Sequence, residues 1–509
     1  MSKHVWSQLS ALTAVALVAV ANAGHAQGAG DTVVCLEVAS GSAGEKGDVD
    51  IYAQRVTQAG KLLWNNGEPL AVATARDLES SPAVCEDGAG GAIVAYTYEF
   101  VEGEHKGDVD IVAQRLGKSG KLLWNEGKSP VPVASSKGKE AHPLVVSDGH
   151  GGAIVVYEWT NAQGDTDVLA QRITGNGKLV WNGGEKPAVV GASGGIERSP
   201  VVVPDGQGGV IVFFEWQGDN GDVDVMAQRV SAEGKVMWNT GERAVDVASS
   251  KSIERHVTAV SDGRGGAIAA FEVEFTEGEN RGDVDIMAQR ISGDGVLGWN
   301  DGKGSSDVST GKGIERNPTA ISDGAGGILV AFEYEPREGE FAGDIDILAQ
   351  RLNGDGQMMW NKGEVSTVVS SAKGLERLPR AVPSGNGGAV IVFESAYRGG
   401  DNAGDVDVLA QRVSAAGELL WDKGERSSVV AASKWRERAP VALPDGRGGV
   451  IVVYPGSGPP GEFENDLDVM AMRLDGDGKM LWNAGEKAVD IAAGKAVERN
   501  PCAVMIGSR

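Results

Sequence analysis

Carboxylates carry most of the chemical potential in this 509-residue chain. An Asp-x-Asp pair recurs as Asp48/Asp50, Asp108/Asp110, Asp165/Asp167 and Asp222/Asp224, and continues through Asp283/Asp285, Asp344/Asp346 and Asp405/Asp407 to Asp466/Asp468. Calcium takes six to eight oxygen ligands, and carboxylates beside backbone carbonyls supply them. The aspartates from Asp48 to Asp224 are therefore candidate metal ligands, and Ca2+ is the one cofactor candidate; no other is assigned. The same residues also cap turns or pair with arginine. An arginine follows each pair, as in Arg55, Arg115, Arg172 and Arg229. A catalytic site is needed once, so this repetition points first to a structural role.

A second pair is Glu-Arg, seen at Glu197-Arg198, Glu254-Arg255, Glu315-Arg316, Glu376-Arg377, Glu437-Arg438 and Glu498-Arg499. The arginine is missing twice, where Glu79 precedes Ser80 and Glu140 precedes Ala141 and His142. Signatures of catalysis are sparse. Beyond the first 30 residues the histidines are His105, His142, His150 and His256, and no His–Cys cluster occurs. The Gly-x-Gly runs lack a following helix, so they are not nucleotide loops. A glycosidase needs only two carboxylates at a suitable separation, which keeps an enzyme as the alternative reading.

These residues sit in a repeat of about sixty residues. In one copy Val201–Val203 and Val210–Phe214 are apolar runs separated by Asp205-Gly206-Gln207-Gly208-Gly209. Asp222-Val223-Asp224 leads into a third strand ending near Val230, and Lys235-Val236-Met237-Trp238 is expected to begin a fourth. Short apolar runs between Gly/Asp turns indicate an all-β architecture. The tryptophan recurs at Trp64, Trp124, Trp181, Trp238, Trp299, Trp360, Trp421 and Trp482, which predicts aromatic packing between units. The C-terminus supplies a first strand and residues 31–75 supply the other three. The expected fold is an all-β, closed eight-bladed β-propeller of four-stranded antiparallel blades. It spans residues 27–509, and its closing blade combines 31–75 with 494–509. Closure removes exposed sheet edges.

In a propeller the Glu-Arg pairs should ring one mouth of the central channel. Most loops on that face are long and acidic. Two neighbouring short ones carry Trp159 and Trp216. With His142, Glu140 and Glu197 nearby, these form a candidate sugar or peptide platform.

The run Tyr52-Ala53-Gln54-Arg55-Val56, with Gly60-Lys61-Leu62-Leu63-Trp64, resembles the repeat of pyrroloquinoline-quinone-type eight-bladed propellers. The order Pro–strand–Asp-Gly–strand is also similar to the TolB-type periplasmic repeat. The resemblance implies the fold alone, because those families include both dehydrogenases and non-enzymatic scaffolds. Gln-Arg stands where the quinoprotein repeat has Leu-Asp, and a vicinal cysteine pair is missing.

The formal charge of −24 repels phosphate backbones and argues against nucleic acid as a partner. Residues 1–26 read as a secretory signal: Lys3 and His4, an apolar core from Leu12 to Ala21, then small residues at Ala23 and Ala26. The expectation is an exported monomer, periplasmic or extracellular, with no membrane span after cleavage. Its expected role is to bind a protein, peptide or glycan without catalysis. Cys35 and Cys502 fall on the two strands that join the termini. Alignment with Phe213 and Val201 sets them opposite each other, which predicts a disulfide in an oxidising compartment. Cys85 is left as a buried free thiol.

Overall fold

The computed structural model describes residues 30–40, 47–218, 221–372, 374–398, 404–433, 436–457, 467–494 and 496–507. The expected signal segment and Asp466 lie outside the described residues. The chain is all-β and propeller-like, and its described residues form a single continuous sheet of 33 strands. Among the described residues the only helical pieces are short 3-10 turns.

The fourth repeat shows the pattern. Its first strand is Ile196–Pro204, followed by Val210–Gln217, Val223–Val230 and the short Val245–Ala248. Consecutive strands pair antiparallel. A bulge interrupts the first strand between Arg198 and Val201, with Ser199 at φ 52°. Pro200 falls in this gap, where a missing N–H costs no ladder bond.

One expectation is corrected here. Trp238 does not begin the fourth strand; it opens a 3-10 turn, Trp238–Gly241. Asn239, Thr240 and Gly241 all take positive φ, which turns the chain before the strand starts at Val245. Gln228 of the third strand holds the turn. Its Oε1 accepts the backbone N–H groups of Trp238 and Arg229, each at 2.9 Å, and its Nε2 donates to the carbonyls of Trp238 and Arg243. A fully hydrogen-bonded buried amide avoids the penalty of an orphaned one.

First strands of successive repeats contact one another, and Val497–Ile506 contacts Leu78–Glu86. The first described strand, Asp31–Ala39, pairs antiparallel with Val497–Ile506 and with Val49–Val56. The core lies between repeats: Trp238 packs in one cluster with Phe213 of its own repeat and Phe271 of the next. All eight repeat tryptophans are at most 3% exposed. This bears out their expected packing role between units.

Candidate functional site

The arginines of the third strands have partners other than the expected ones. Arg229 donates through Nε and Nη2 to Asp205 Oδ2 at 3.0 and 2.8 Å, not to the Asp-x-Asp pair. Asp205 is the aspartate of the Asp-Gly turn, and its Oδ1 accepts the backbone N–H groups of Gln207 and Gly209. The same ion pair forms at Asp31–Arg55, Asp87–Arg115, Asp148–Arg172, Asp262–Arg290, Asp323–Arg351 and Asp445–Arg473. The Asp-x-Asp aspartates sit at the opposite end of the third strand, out of that arginine's reach. Arg229 Nη1 and Trp238 Nε1 then both donate to the carbonyl of Gly293 in the next repeat. Arg473 and Trp482 make the same contacts with Gln58, joining the last repeat to the first.

The Asp-x-Asp residues instead meet the first-strand glutamate of the following repeat. A parallel bridge pairs Val223 with Ile253, so Asp224 stands beside Glu254. Equivalent bridges, Val49 with Leu78 and Val406 with Arg436, bring Asp50 beside Glu79 and Asp407 beside Glu437. In each of these three seams Asp Oδ1 and Glu Oε2 are buried without a hydrogen-bond partner. Burial, reinforced by neighbouring carboxylates, pushes Asp50 and Asp224 up to about 6 and Glu79 up to about 8. Burial likewise raises Glu254 and Glu437 to about 7. Desolvation favours the neutral carboxyl, and a facing carboxylate adds to it. Among the described residues no three His, Cys, Asp or Glu side chains converge as a ready-made metal shell. Any cation here would meet two facing carboxylates and complete its shell from backbone and water.

The Glu-Arg pair therefore divides. Glu140 and Glu197, expected on the ligand face, are at most 1% exposed and lie in the seams. The arginine turns to a glutamate of the second strand that the sequence reading did not single out. Arg198, Arg255, Arg316 and Arg499 donate to Glu215, Glu272, Glu333 and Glu37. The second carboxylate oxygen reaches the next repeat: Glu215 Oε1 accepts the backbone N–H of His256 at 2.8 Å. The available signal was a lone glutamate recurring in an otherwise apolar strand, as in Phe213-Phe214-Glu215.

This inter-repeat pattern breaks at four places. The second repeat has Ser80 and Thr97, bonded to each other at 2.7 Å. In the third, His142 Nδ1 lies 3.0 Å from Glu158 Oε2, and that bond, more than burial opposes it, raises the imidazole pKa. The seventh places a further arginine, Arg380, beside the pair. In the eighth, Pro455 replaces the glutamate, and Arg438 has no carboxylate within ion-pair distance among the described residues.

Trp159 and Trp216 are half-buried and pack against different core clusters. Their indole N–H groups are buried without partners, over Gly138 and Gly195. A cleft of about 260 Å³ opens elsewhere, between the last and first repeats, lined by Val38, Tyr52, Glu68 and Glu498 among others. Cys35 and Cys502 stand directly opposite in register, as expected. Both are buried free thiols here, as is Cys85.

No family model matches the sequence, and no curated protein matches it. The chain is similar to the β-propeller domain of the trilobed protease from Pyrococcus furiosus, at 10% identity, 82% coverage of this chain, 98% of that chain and a TM-score of 0.44. It is also similar to polysaccharide lyase Uly1, at 10% identity, 76% and 88% coverage and a TM-score of 0.43. A protein of unknown function from Dyadobacter fermentans is 11% identical, with 65% and 93% coverage and a TM-score of 0.33.

Proposed function

We propose that the chain is an exported, closed eight-bladed propeller that binds a protein, peptide or glycan ligand without catalysis, at the mouth lined by the bulged ends of its first strands. The observation that carries this is where the repetition fails. Most of the arginines, tryptophans and paired carboxylates are engaged in contacts that recur from repeat to repeat. The departures at Ser80/Thr97, His142, Arg380 and Pro455 all fall at that one end of the first and second strands. Departure from symmetry is what a single ligand requires. Closure of the ring by Asp31–Ala39 against Val497–Ile506 fixes the mouth as a rigid rim.

Pull-down from a secreted-protein extract and glycan-array screening of residues 27–509 test the reading. Specific retention of one ligand class, with the ligand recovered chemically unchanged, is expected. Release of shortened or unsaturated saccharide products from a polysaccharide panel would replace it with the enzymatic alternative.

A further inference from the structure

The surplus positive charge where the seventh and eighth repeats meet goes beyond a general binding role. In the fourth, fifth and sixth repeats the rim arginine is fully matched: Arg198, Arg255 and Arg316 donate through Nε to the second-strand glutamate at 3.2, 3.3 and 2.8 Å, and Arg255 and Arg316 each reach a further glutamate, Glu274 and Glu335. In the seventh repeat that pair is loosened. Arg377 Nη2 lies 3.6 Å from Glu394 Oε2, and Arg377 Nε is buried with no partner. Register explains the loosening. Arg377 stands opposite Glu394 and Arg380 opposite Val392, so both arginines share the strand face that carries Glu394. Among the described residues Arg380 donates only to the carbonyl of Pro379, at 3.0 Å. The eighth repeat then brings its backbone to the same carboxylate, where Glu394 Oε1 accepts the N–H of Ala439 at 2.6 Å, one residue after Arg438. Pro455 takes the place of the glutamate that Arg438 would otherwise use.

Arg377, Arg380 and Arg438 thus all lie close enough to feel the one carboxylate of Glu394, but only Arg377 comes within ion-pair distance of it, in a chain whose net charge is −24. Burial drives the Arg380 pKa down despite the glutamates near it, as expected for a cation without a sufficient counter-charge. Arg380 is enclosed by protein yet still reached by solvent. A planar guanidinium fork matches a carboxylate in two parallel hydrogen bonds.

We propose that Arg377, Arg380 and Arg438 form a recognition site for a carboxylate group of the ligand bound at the rim. The inference rests on the binding reading above and deepens it: the ligand is acidic, either an acidic sugar or a peptide end. The chain's net negative charge disfavours such a ligand away from this cluster, so the site also orients it.

The test is isothermal titration of the 27–509 protein with two probes at fixed ionic strength. One is a galacturonate oligomer paired with its methyl ester; the other is a short peptide with a free C-terminus paired with its amide. Binding of either free acid, with loss on esterification or amidation, is expected and identifies the source. Arg380→Met and Arg438→Met should each weaken that binding by about tenfold or more, the usual consequence of losing a charge-assisted hydrogen bond. Lys235→Met, on an exposed turn away from the rim, should leave it unchanged, and circular dichroism confirms that each variant is folded. Failure of both free acids to bind overturns the inference. A ligand found by screening that binds Arg380→Met and Arg438→Met normally overturns the inference and leaves the binding reading standing.

Discussion

Arg229 illustrates how a single residue ties three pieces of chain together. It neutralises Asp205, whose other oxygen holds the turn at Gln207 and Gly209, and it reaches Gly293 in the next repeat. Asp205 is 1% exposed, so removing its counter-ion leaves a buried charge behind. Arg229→Met should destabilise by about 3 kcal/mol, read as a shift in the guanidinium midpoint. A midpoint within error of the parent would mean the pair contributes nothing. Gly295 makes a complementary case. Its φ is 80°, and an added Cβ would lie 2.7 Å from Trp238 Cγ. Gly295→Ala should therefore cost more than the roughly 1 kcal/mol of backbone strain alone, and Trp238 fluorescence should report the displaced ring. An unshifted emission spectrum with parental stability would contradict the packing described.

The seams between first and third strands are the elements whose stability should follow pH. Asp50, Asp110, Asp167, Asp224 and Asp346 are raised to about 6, and Glu79, Glu254, Glu376 and Glu437 to about 7 or 8, with burial the main cause in each. Unfolded carboxyls titrate near 4, so the folded state holds these protons more tightly. Their stabilising contribution is complete below about pH 4 and is lost as pH rises through about 6 to 8. In chelator, the melting temperature should fall across that window. A cation seated between facing carboxylates replaces the proton, so millimolar calcium should restore most of the loss at pH 8 and have little effect at pH 5. A melting temperature flat from pH 5 to 8 would contradict the burial of these carboxyls. A calcium-independent fall would leave the protons and remove the cation.

At the scale of the whole molecule, the pairing of Asp31–Ala39 with Val497–Ile506 forms a joint between the two ends of the described chain. Cys35 and Cys502 face each other across that joint, and burial, with each other's proximity, pushes the Cys35 thiol up. That suppresses the thiolate and slows spontaneous exchange, yet an oxidising compartment with catalysts can still form the bond. A bond here would enclose almost the entire chain, for which the chain-entropy account gives about 6 kcal/mol, an upper bound that native strain lowers. Protein recovered from the periplasm, unfolded without reductant and alkylated, should expose one thiol, that of Cys85. Three alkylatable thiols would rule the bond out.

The sequence by itself determined the strand order, the repeat, the inter-unit tryptophans and the opposition of Cys35 to Cys502. All of these follow from local spacing: a turn of fixed length sets the register of the strands it joins, and register sets which side chains face each other. Partner choice did not follow. Arg229 lies five residues after Asp224 yet pairs with Asp205, because a five-residue separation along a strand spans about 17 Å while the turn returns Asp205 to its side. The seam between Asp224 and Glu254, and the contact of Glu394 with the backbone of Ala439, arise between repeats. No spacing within one repeat encodes them. Only the angular placement of neighbouring sheets brings those charges together, and that placement is a property of the assembled tertiary structure.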